Sequence, residues 1–459
     1  MSDNPFSSLH GLRALIEKMQ CHVSFSEDTT PLKTPLMAGS LNFPNRVAVQ
    51  PLEGADATHD GEPTSFTRER YRGFAEGGAG LIWFEACAVD FPEARSHDAM
   101  LIISNKTVPK FKGIVEEVKK ASEASLRRLG MDGRAVIVLQ LSHAGRYRVA
   151  KSDRSPAMAY RFPELDKNIG ITDEMGRIVS DDELRELQGA FIDAARLAVE
   201  AGFDAVDVKA CHGYLLNSLL GGFTRGGDYG GEGYGKRSRF ILETISSIRK
   251  EVGCVVTSRF SAYDGLPYPY GFGSQKKREE GECPGEGLPL VDLSEPVQLV
   301  KDMGSAGVDF VNVSLGDPYY GAFVTRPFDV KTLGARDPIE HPLKSVDRHF
   351  MTVEELKKAV PDMVYVGSGY SWLRQYSIQA ASYNIAENRT DIAGWGRLAL
   401  ACPAFPRTAF TTGSLLSYKA CVTCSGCSRL LRAGVRSGCV TQNPLAFKES
   451  ILRLREMGK

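Results

Sequence analysis

SDDELRELQGAFIDAARLAVEAGFDAVDVKAC, residues 180–211, carries a complete passage from helix to strand. Ser180 and Glu183 form a capping box, in which each side chain can satisfy a backbone N–H at the helix start. Leu184, Leu187, Phe191, Ala195 and Val199 then recur at helical spacing and define one apolar face. A strand-like run, DAVDVKAC (204–211), follows within a few residues. The same alternation extends both ways, through RVAVQPL (46–52), GLIWFEACAV (80–89) and AVIVLQLSH (135–143) before it. CVVTSRFSA (254–262), FVNVSLG (310–316), VYVGSG (364–369) and DIAGWGR (391–397) come after. Eight such runs, separated by helical segments without clear hairpin turns, predict a parallel sheet closed on itself: a (β/α)8 TIM barrel.

In such a barrel the chemistry lies where strands end and the following loops begin. Residues 36–400 are expected to form the barrel, with 1–35 as an N-terminal extension and 401–459 as a cysteine-rich tail ending in a helix, LAFKESILRLREM. Residues 264–293, rich in Gly, Pro and charge, are too long for an idle connection and read as a lid.

Composition narrows the partners. Lys+Arg and Asp+Glu both total 56, so no charge excess points to nucleic acid or an anionic membrane surface, and a small-molecule partner is favoured. No apolar run approaches the roughly 18 residues that span a bilayer. The polar start MSDNPFSSLH lacks the features of a secretory signal, which predicts a cytoplasmic protein. Oligomeric state is open.

Ten cysteines in such a chain are not expected to pair as disulfides, because cytosolic thiols are kept reduced. Cys421, Cys424, Cys427 and Cys439 instead follow C-x2-C-x2-C-x11-C, three thiols in one tight loop and a fourth on a returning segment. Four thiolates suit tetrahedral zinc or an iron–sulfur cluster. Zinc ribbons more often present two separated pairs, and three close thiols plus a distant one fit the corners of a [4Fe-4S] cubane better. Cys21, Cys87, Cys211, Cys254, Cys283 and Cys402 show no ligand spacing and are assigned to packing.

The strand ends NRVAVQPLEGADA (45–57), WFEACAV (83–89), LQLSHAGRY (139–147), GFDAVDVKACHGYLLNSLL (202–220), TRGGDYGG (224–231), RSRF (237–240), SRFSAYDG (258–265) and GWGR (394–397) resemble the old yellow enzyme family in order and position. The tail CVTCSGCSRLLRAGVRSGCVTQNP is similar to the branch that includes 2,4-dienoyl-CoA reductase and trimethylamine dehydrogenase. The resemblance implies FMN and a [4Fe-4S] cluster. It assigns Arg259 to the flavin edge that gains negative charge on reduction, where a cation is stabilising. Gln140 would bond the pyrimidine edge, and Pro51, Leu52, Glu53 and Ala86 would line the ring. Gly367, Ser368, Gly369, Gly396 and Arg397 would hold the phosphate at strands seven and eight.

Over the flavin face the resemblance places two donors that bind a substrate carbonyl, here Lys209 and His212, and a tyrosine proton donor, here Tyr214. Lysine departs from the family's usual histidine, and Glu53 stands where a small or thiol residue is common. His143 and Arg146 are expected to be supporting residues. SLGDPYYGAF offers Asp317, Tyr319 and Tyr320 where the dienoyl-CoA branch has a catalytic histidine. The implied activity is ene reduction of an α,β-unsaturated carbonyl compound such as an enone, enoate or flavonoid. The chain ends soon after the cysteines, so electrons are expected from NAD(P)H at the flavin or from a separate redox protein. The rival readings are an amine dehydrogenase or demethylase, which needs an aromatic cage for a cation, and an electron-transfer flavoprotein subunit.

Overall fold

The computed structural model describes residues 4–148, 156–276, 287–331 and 336–457. Eight parallel strands form the barrel: β1 (Val47–Val49), β2 (Leu81–Val89), β3 (Val136–Ser142), β4 (Ala205–Val208), β5 (Val255–Ser261), β6 (Val308–Ser314), β7 (Val364–Gly367) and β8 (Ile392–Trp395). Each pairs with its sequence neighbour, and the β8–β1 pairing closes the ring. Seven of the strand runs expected from the sequence contain one of them, and the eighth, 310–316, overlaps β6, which begins two residues earlier at Val308. Ile102–Ile103 adds a two-residue strand to the end of β2.

The helices α1 (Ser65–Glu76), α2 (Val108–Arg128), α3 (Asp181–Glu200), α4 (Tyr234–Glu251), α5 (Ser294–Ser305), α6 (Pro342–Ala359), α7 (Ser377–Ala386) and α8 (Phe405–Thr412) follow the strands in turn. In α3 both halves of the capping box form: Glu183 N–H donates to Ser180 Oγ at 3.1 Å and Ser180 N–H to Glu183 Oε2 at 2.9 Å. Leu184, Leu187, Phe191 and Ala195 are buried as the periodicity predicts, but Val199 is 45% exposed. Ala198 completes the stripe instead, since the buried face returns after seven residues from Phe191.

The lower barrel interior is a packed core of Trp83, Phe310 and small aliphatic residues, stoppered by an antiparallel hairpin, Leu36–Ala38 with Leu41–Phe43. Phe43 meets Phe310 edge-on at 5.4 Å. With the N-terminal end plugged, only the C-terminal end of the strands is open to a ligand.

Two excursions lie at that end. In the 264–293 insertion, Ser274 bridges Val291 and Tyr270 stacks on Phe162 at 4.1 Å. Residues 277–286, including Cys283, lie outside the described residues. The tail, with α9 (Gly426–Arg432) and α10 (Lys448–Glu456), folds back over the barrel mouth. Arg432 donates to the Pro318 carbonyl at 2.8 Å, and Thr423 donates to Asp329 at 2.9 Å. Among the described residues no helix is long and apolar enough to cross a membrane.

Candidate active site

The floor of the site is set by Asp207 on β4. Its buried carboxylate accepts from Trp83 Nε1 at 2.8 Å, Gln140 Nε2 at 2.6 Å and the Arg259 backbone N–H at 2.7 Å. Burial pushes this carboxyl up to about 6, against those three donors. The bonds fix the Gln140 amide beside the Arg259 strand. Opposite, Asn312 donates to Gln50 Oε1 at 2.7 Å, and Gln50 Nε2 donates to Ser368 Oγ at 3.1 Å, joining β1, β6 and β7.

Above this floor lies a cavity of about 600 Å³. Pro51, Leu52, Glu53, Ala86, Gln140 and Arg259 line it, as do Ser368, Gly369, Gly396 and Arg397, and Lys209, His212 and Tyr214. The exception among the expected residues is Gly367. It remains within β7 and its carbonyl receives Gln50 Nε2 at 3.4 Å, so it turns inward to the strand network. No described residue of the 264–293 insertion lines the cavity; its roof comes from the tail, with Cys427, Ser428, Leu431 and Arg432. His143 and Arg146 are buried and bonded to the Pro92 carbonyl and Asp166, and neither lines the cavity.

The end of β4 supplies the polar face. His212 and Gly213 both adopt left-handed backbone, φ 67° and 70°. A Cβ on Gly213 would stand 2.1 Å from an Asp317 carboxylate oxygen, so only glycine fits this tight turn. The turn brings Lys209, His212 and Tyr214 to one wall. His212 Nε2 pairs with Ser314 Oγ at 2.9 Å, and burial, with Arg259 and Lys209 nearby, holds the imidazole well below its ordinary value and therefore neutral.

Glu53 organises the rest. Its carboxylate accepts from Tyr214 Oη at 2.8 Å and Ser96 Oγ at 3.3 Å, and lies 3.2 Å from His97 Nε2 and 3.8 Å from Lys209 Nζ. Burial pushes this acid up, but the His97 bond, the Lys209 charge and the Tyr214 bond outweigh it and leave it at about 2. Lys209 Nζ stands 3.4 Å over the Tyr214 ring. Tyr147 stacks on Tyr319 at 3.7 Å and donates to Asp317, completing an aromatic wall. Tyr320 points away to Glu164.

These groups fit a flavin. Arg259 Nε and Arg397 Nη1 are buried without a partner, although both residues face the cavity. Burial pulls the Arg259 guanidinium below its ordinary value, a cost that an anionic group in the cavity would relieve. Gly369, which also lines the cavity, has φ 98°, a left-handed conformation that favours glycine.

The four tail thiols line a second, smaller cavity that shares Arg397, Leu400 and Cys427 with the first. Thr423 and Ser425 are left-handed, φ 49° and 57°, which coils the Cys421–Cys427 loop tightly. Backbone N–H groups of Thr423 and Gln442 donate to Cys421 and Cys439 sulfur, each at 3.4 Å. All four are free thiols. This donor set suits a thiophilic centre, although among the described residues no three His, Cys, Asp or Glu side chains are grouped as ligands of one metal ion.

Sequence reasoning missed Gln50, Ser96, His97 and Arg326 as cavity residues. Gln50 lies one residue before the quoted Pro51 on an inward-facing strand end, and that periodicity could have found it. Ser96 and His97 sit in a long loop after β2, and no local pattern marks them.

The model of the family described as NADH:flavin oxidoreductase / NADH oxidase matches residues 31–272. The NADPH dehydrogenase of Bacillus subtilis (strain 168) is 30% identical over 345 residues, 73% of this chain and 90% of that protein. The NADH oxidase of Thermoanaerobacter brockii is 27% identical over 420 residues, 90% of this chain; the chain spans only 56% of that relative's length. Among solved structures, a 2-naphthoyl-CoA reductase in complex with 2-naphthoyl-CoA superposes with TM-score 0.69 at 19% identity, covering 91% of this chain and 57% of that one. That likeness bears on the fold. With an eight-stranded parallel barrel as its strand runs led us to expect, the chain belongs to the NADH:flavin oxidoreductase / NADH oxidase family, the family of the old yellow enzymes.

Proposed function

We propose that the protein is an FMN-dependent ene-reductase acting on α,β-unsaturated carbonyl compounds, with NAD(P)H or a redox protein as electron donor. The observation that carries this reading is the convergence of Lys209, His212 and Tyr214 on the cavity wall above Gln140 and Arg259. When bound, FMN supplies the hydride for the β-carbon of the activated C=C bond. Arg259 and Gln140 would hold the polar edge of the ring, Pro51, Leu52 and Ala86 its flank, and Ser368, Gly369, Gly396 and Arg397 the phosphate. Neutral His212, steadied by Ser314, would donate to the activating oxygen of the substrate. The proton for the α-carbon would come from the same wall, where the Tyr214 hydroxyl and the Lys209 ammonium both face the cavity. Orientation over the ring then supplies much of the rate.

Cys421, Cys424, Cys427 and Cys439 would hold a [4Fe-4S] cluster adjoining the flavin, in support of electron entry. Iron and acid-labile sulfide in anaerobically purified protein test this, and zinc in their place would overturn it.

The amine dehydrogenase reading is less favoured. Its cationic substrate needs an open aromatic face, and Lys209 Nζ already occupies the face of Tyr214. The direct test of ene reduction is anaerobic mixing of reduced protein with enones, enoates and flavones. Reoxidation by one of these classes supports the reading. Reoxidation by a redox protein alone would favour the electron-transfer subunit.

A further inference from the structure

We propose that Lys209, rather than Tyr214, delivers the proton that completes substrate reduction, with Glu53 as its fixed counter-ion. The proposal rests on the ene-reductase reading and names a donor within it.

The hydrogen-bond pattern separates the two candidates. A tyrosine has a single O–H, and that of Tyr214 already donates to Glu53 Oε1 at 2.8 Å. To protonate carbon it must leave a charge-assisted bond and then stand as a phenolate beside a carboxylate. Burial first, and then the charge of Glu53 and the neighbouring Tyr319, push this phenol well above its ordinary value. The group is held as a donor to Glu53 and is a poor acid.

Lys209 is placed differently. Its side chain is 3% exposed, yet it lines the cavity. Its contacts are the Tyr214 ring face at 3.4 Å and Glu53 at 3.8 Å, which is beyond hydrogen-bond distance. The N–H bonds that do not face the Tyr214 ring therefore remain for a bound substrate. The charged and titratable groups facing it are Glu53 from the loop after β1, Arg259 on β5, and Asp207, Cys211, His212 and Tyr214 from its own segment. Burial dominates and draws the ammonium below the ordinary lysine value, Arg259 adds to that, and Glu53, Cys211 and Asp207 oppose it. A desolvated ammonium of this kind is a stronger acid than an exposed lysine.

Loss of the proton is also locally tolerated. Glu53 accepts from Ser96 and Tyr214 and lies beside His97, so its charge stays supported when Lys209 becomes neutral. In the step, the β-carbon gains the hydride whose two electrons derive from NAD(P)H. The α-carbon forms a C–H bond as one Nζ–H bond breaks. The product is the saturated carbonyl compound and a neutral Lys209 amine, which water entering the mouth of the cavity reprotonates.

The test compares K209M, K209A and Y214F in reduction of an enone by the complete flavin-loaded protein. K209M is expected to lower kcat by about 10²-fold or more, and Y214F by less than tenfold. Small primary amines should restore turnover to K209A, with rates that follow the acidity of the added ammonium. A loss in K209M confined to KM, no amine rescue, or a larger kcat loss in Y214F would overturn the proposal. A readout independent of turnover is pH-dependent acylation of Lys209, followed by mass spectrometry. Its midpoint should lie below that of the exposed lysines and fall further in E53Q. An ordinary midpoint, or none of the fall in E53Q, would also overturn it. If the wild-type protein reduces no enone, enoate or flavone, the ene-reductase reading itself fails, and the acylation midpoint still reports separately on Lys209.

Discussion

The backbone N–H of Ser437 donates to the carbonyl of Gly54 at 2.7 Å, and this bond ties the cysteine tail to the loop that carries Glu53. Ser437 Oγ also donates to the Cys427 carbonyl at 2.8 Å, while the Gly54 N–H donates to Glu85 at 2.6 Å. One short path thus runs from the thiol loop to the polar wall of the cavity, and from there to a buried cluster in which Arg70 pairs with Asp56 and Glu85.

Gly54 is the tight point of that path. A Cβ there would stand 2.0 Å from Arg70 Nη1, and the guanidinium can move aside only by leaving Asp56 or Glu85. Breaking such a buried pair costs about 3–5 kcal/mol. G54A is therefore expected to lower unfolding free energy by that order in denaturant titration and to loosen flavin retention. A wild-type midpoint would count against the described packing.

Stability should fall on acidification. Burial is the main cause that draws His143 and His349 down to about 4, and both are neutral in the folded protein. In the unfolded chain an imidazole titrates near 6.5. Below that value the unfolded state binds protons that the folded state refuses, so this stability is complete above about pH 6.5 and is lost as pH falls towards 4. Each residue contributes up to about 3 kcal/mol over that window. Urea titrations from pH 7 to pH 4 should show the decline, and H143F should flatten it; an unchanged slope in H143F would contradict the assignment.

Arg259 should set the flavin's potential. Replacing it by Met removes a buried cation from the edge expected to gain charge on reduction. R259M is expected to make the two-electron potential more negative by tens of millivolts, roughly 30 mV for each 1.4 kcal/mol lost. Dye-coupled reductive titration measures this, and a potential within error of the wild type would remove Arg259 from that role.

Lys209 should also exclude cations. In the wild-type protein tetramethylammonium is expected to leave the flavin spectrum unchanged, because the Tyr214 face is occupied. K209A should expose that face beside Tyr319 and acquire saturable binding. Binding to the wild type at similar strength would revive the amine reading.

The barrel was legible because eight inward-facing strand runs carry dense β-branched and aromatic residues, and because the helix after Ser180 declares both its cap and its face. The site was legible at strand ends, where Lys209, His212, Tyr214, Gln140 and Arg259 must face the cavity once the barrel closes. What was hidden depends on long-range packing. Ser96 and His97 reach Glu53 across more than 40 positions of sequence, so no local spacing could pair them. The tail's part in the roof was hidden as well, because its return over the cavity is fixed by the long-range bond between Ser437 and Gly54. Gly367 was grouped with Ser368 and Gly369 by adjacency, but it is the last residue of β7, paired with β8 and bonded to Gln50, whereas Ser368 and Gly369 belong to the loop beyond the strand.

The most direct measurement is the flavin content of anaerobically purified protein, released by denaturation and identified by chromatography. One FMN for each chain is the expected result, with the yellow absorption lost when R397M weakens the phosphate end. Colourless wild-type protein that takes up no added FMN would contradict the account.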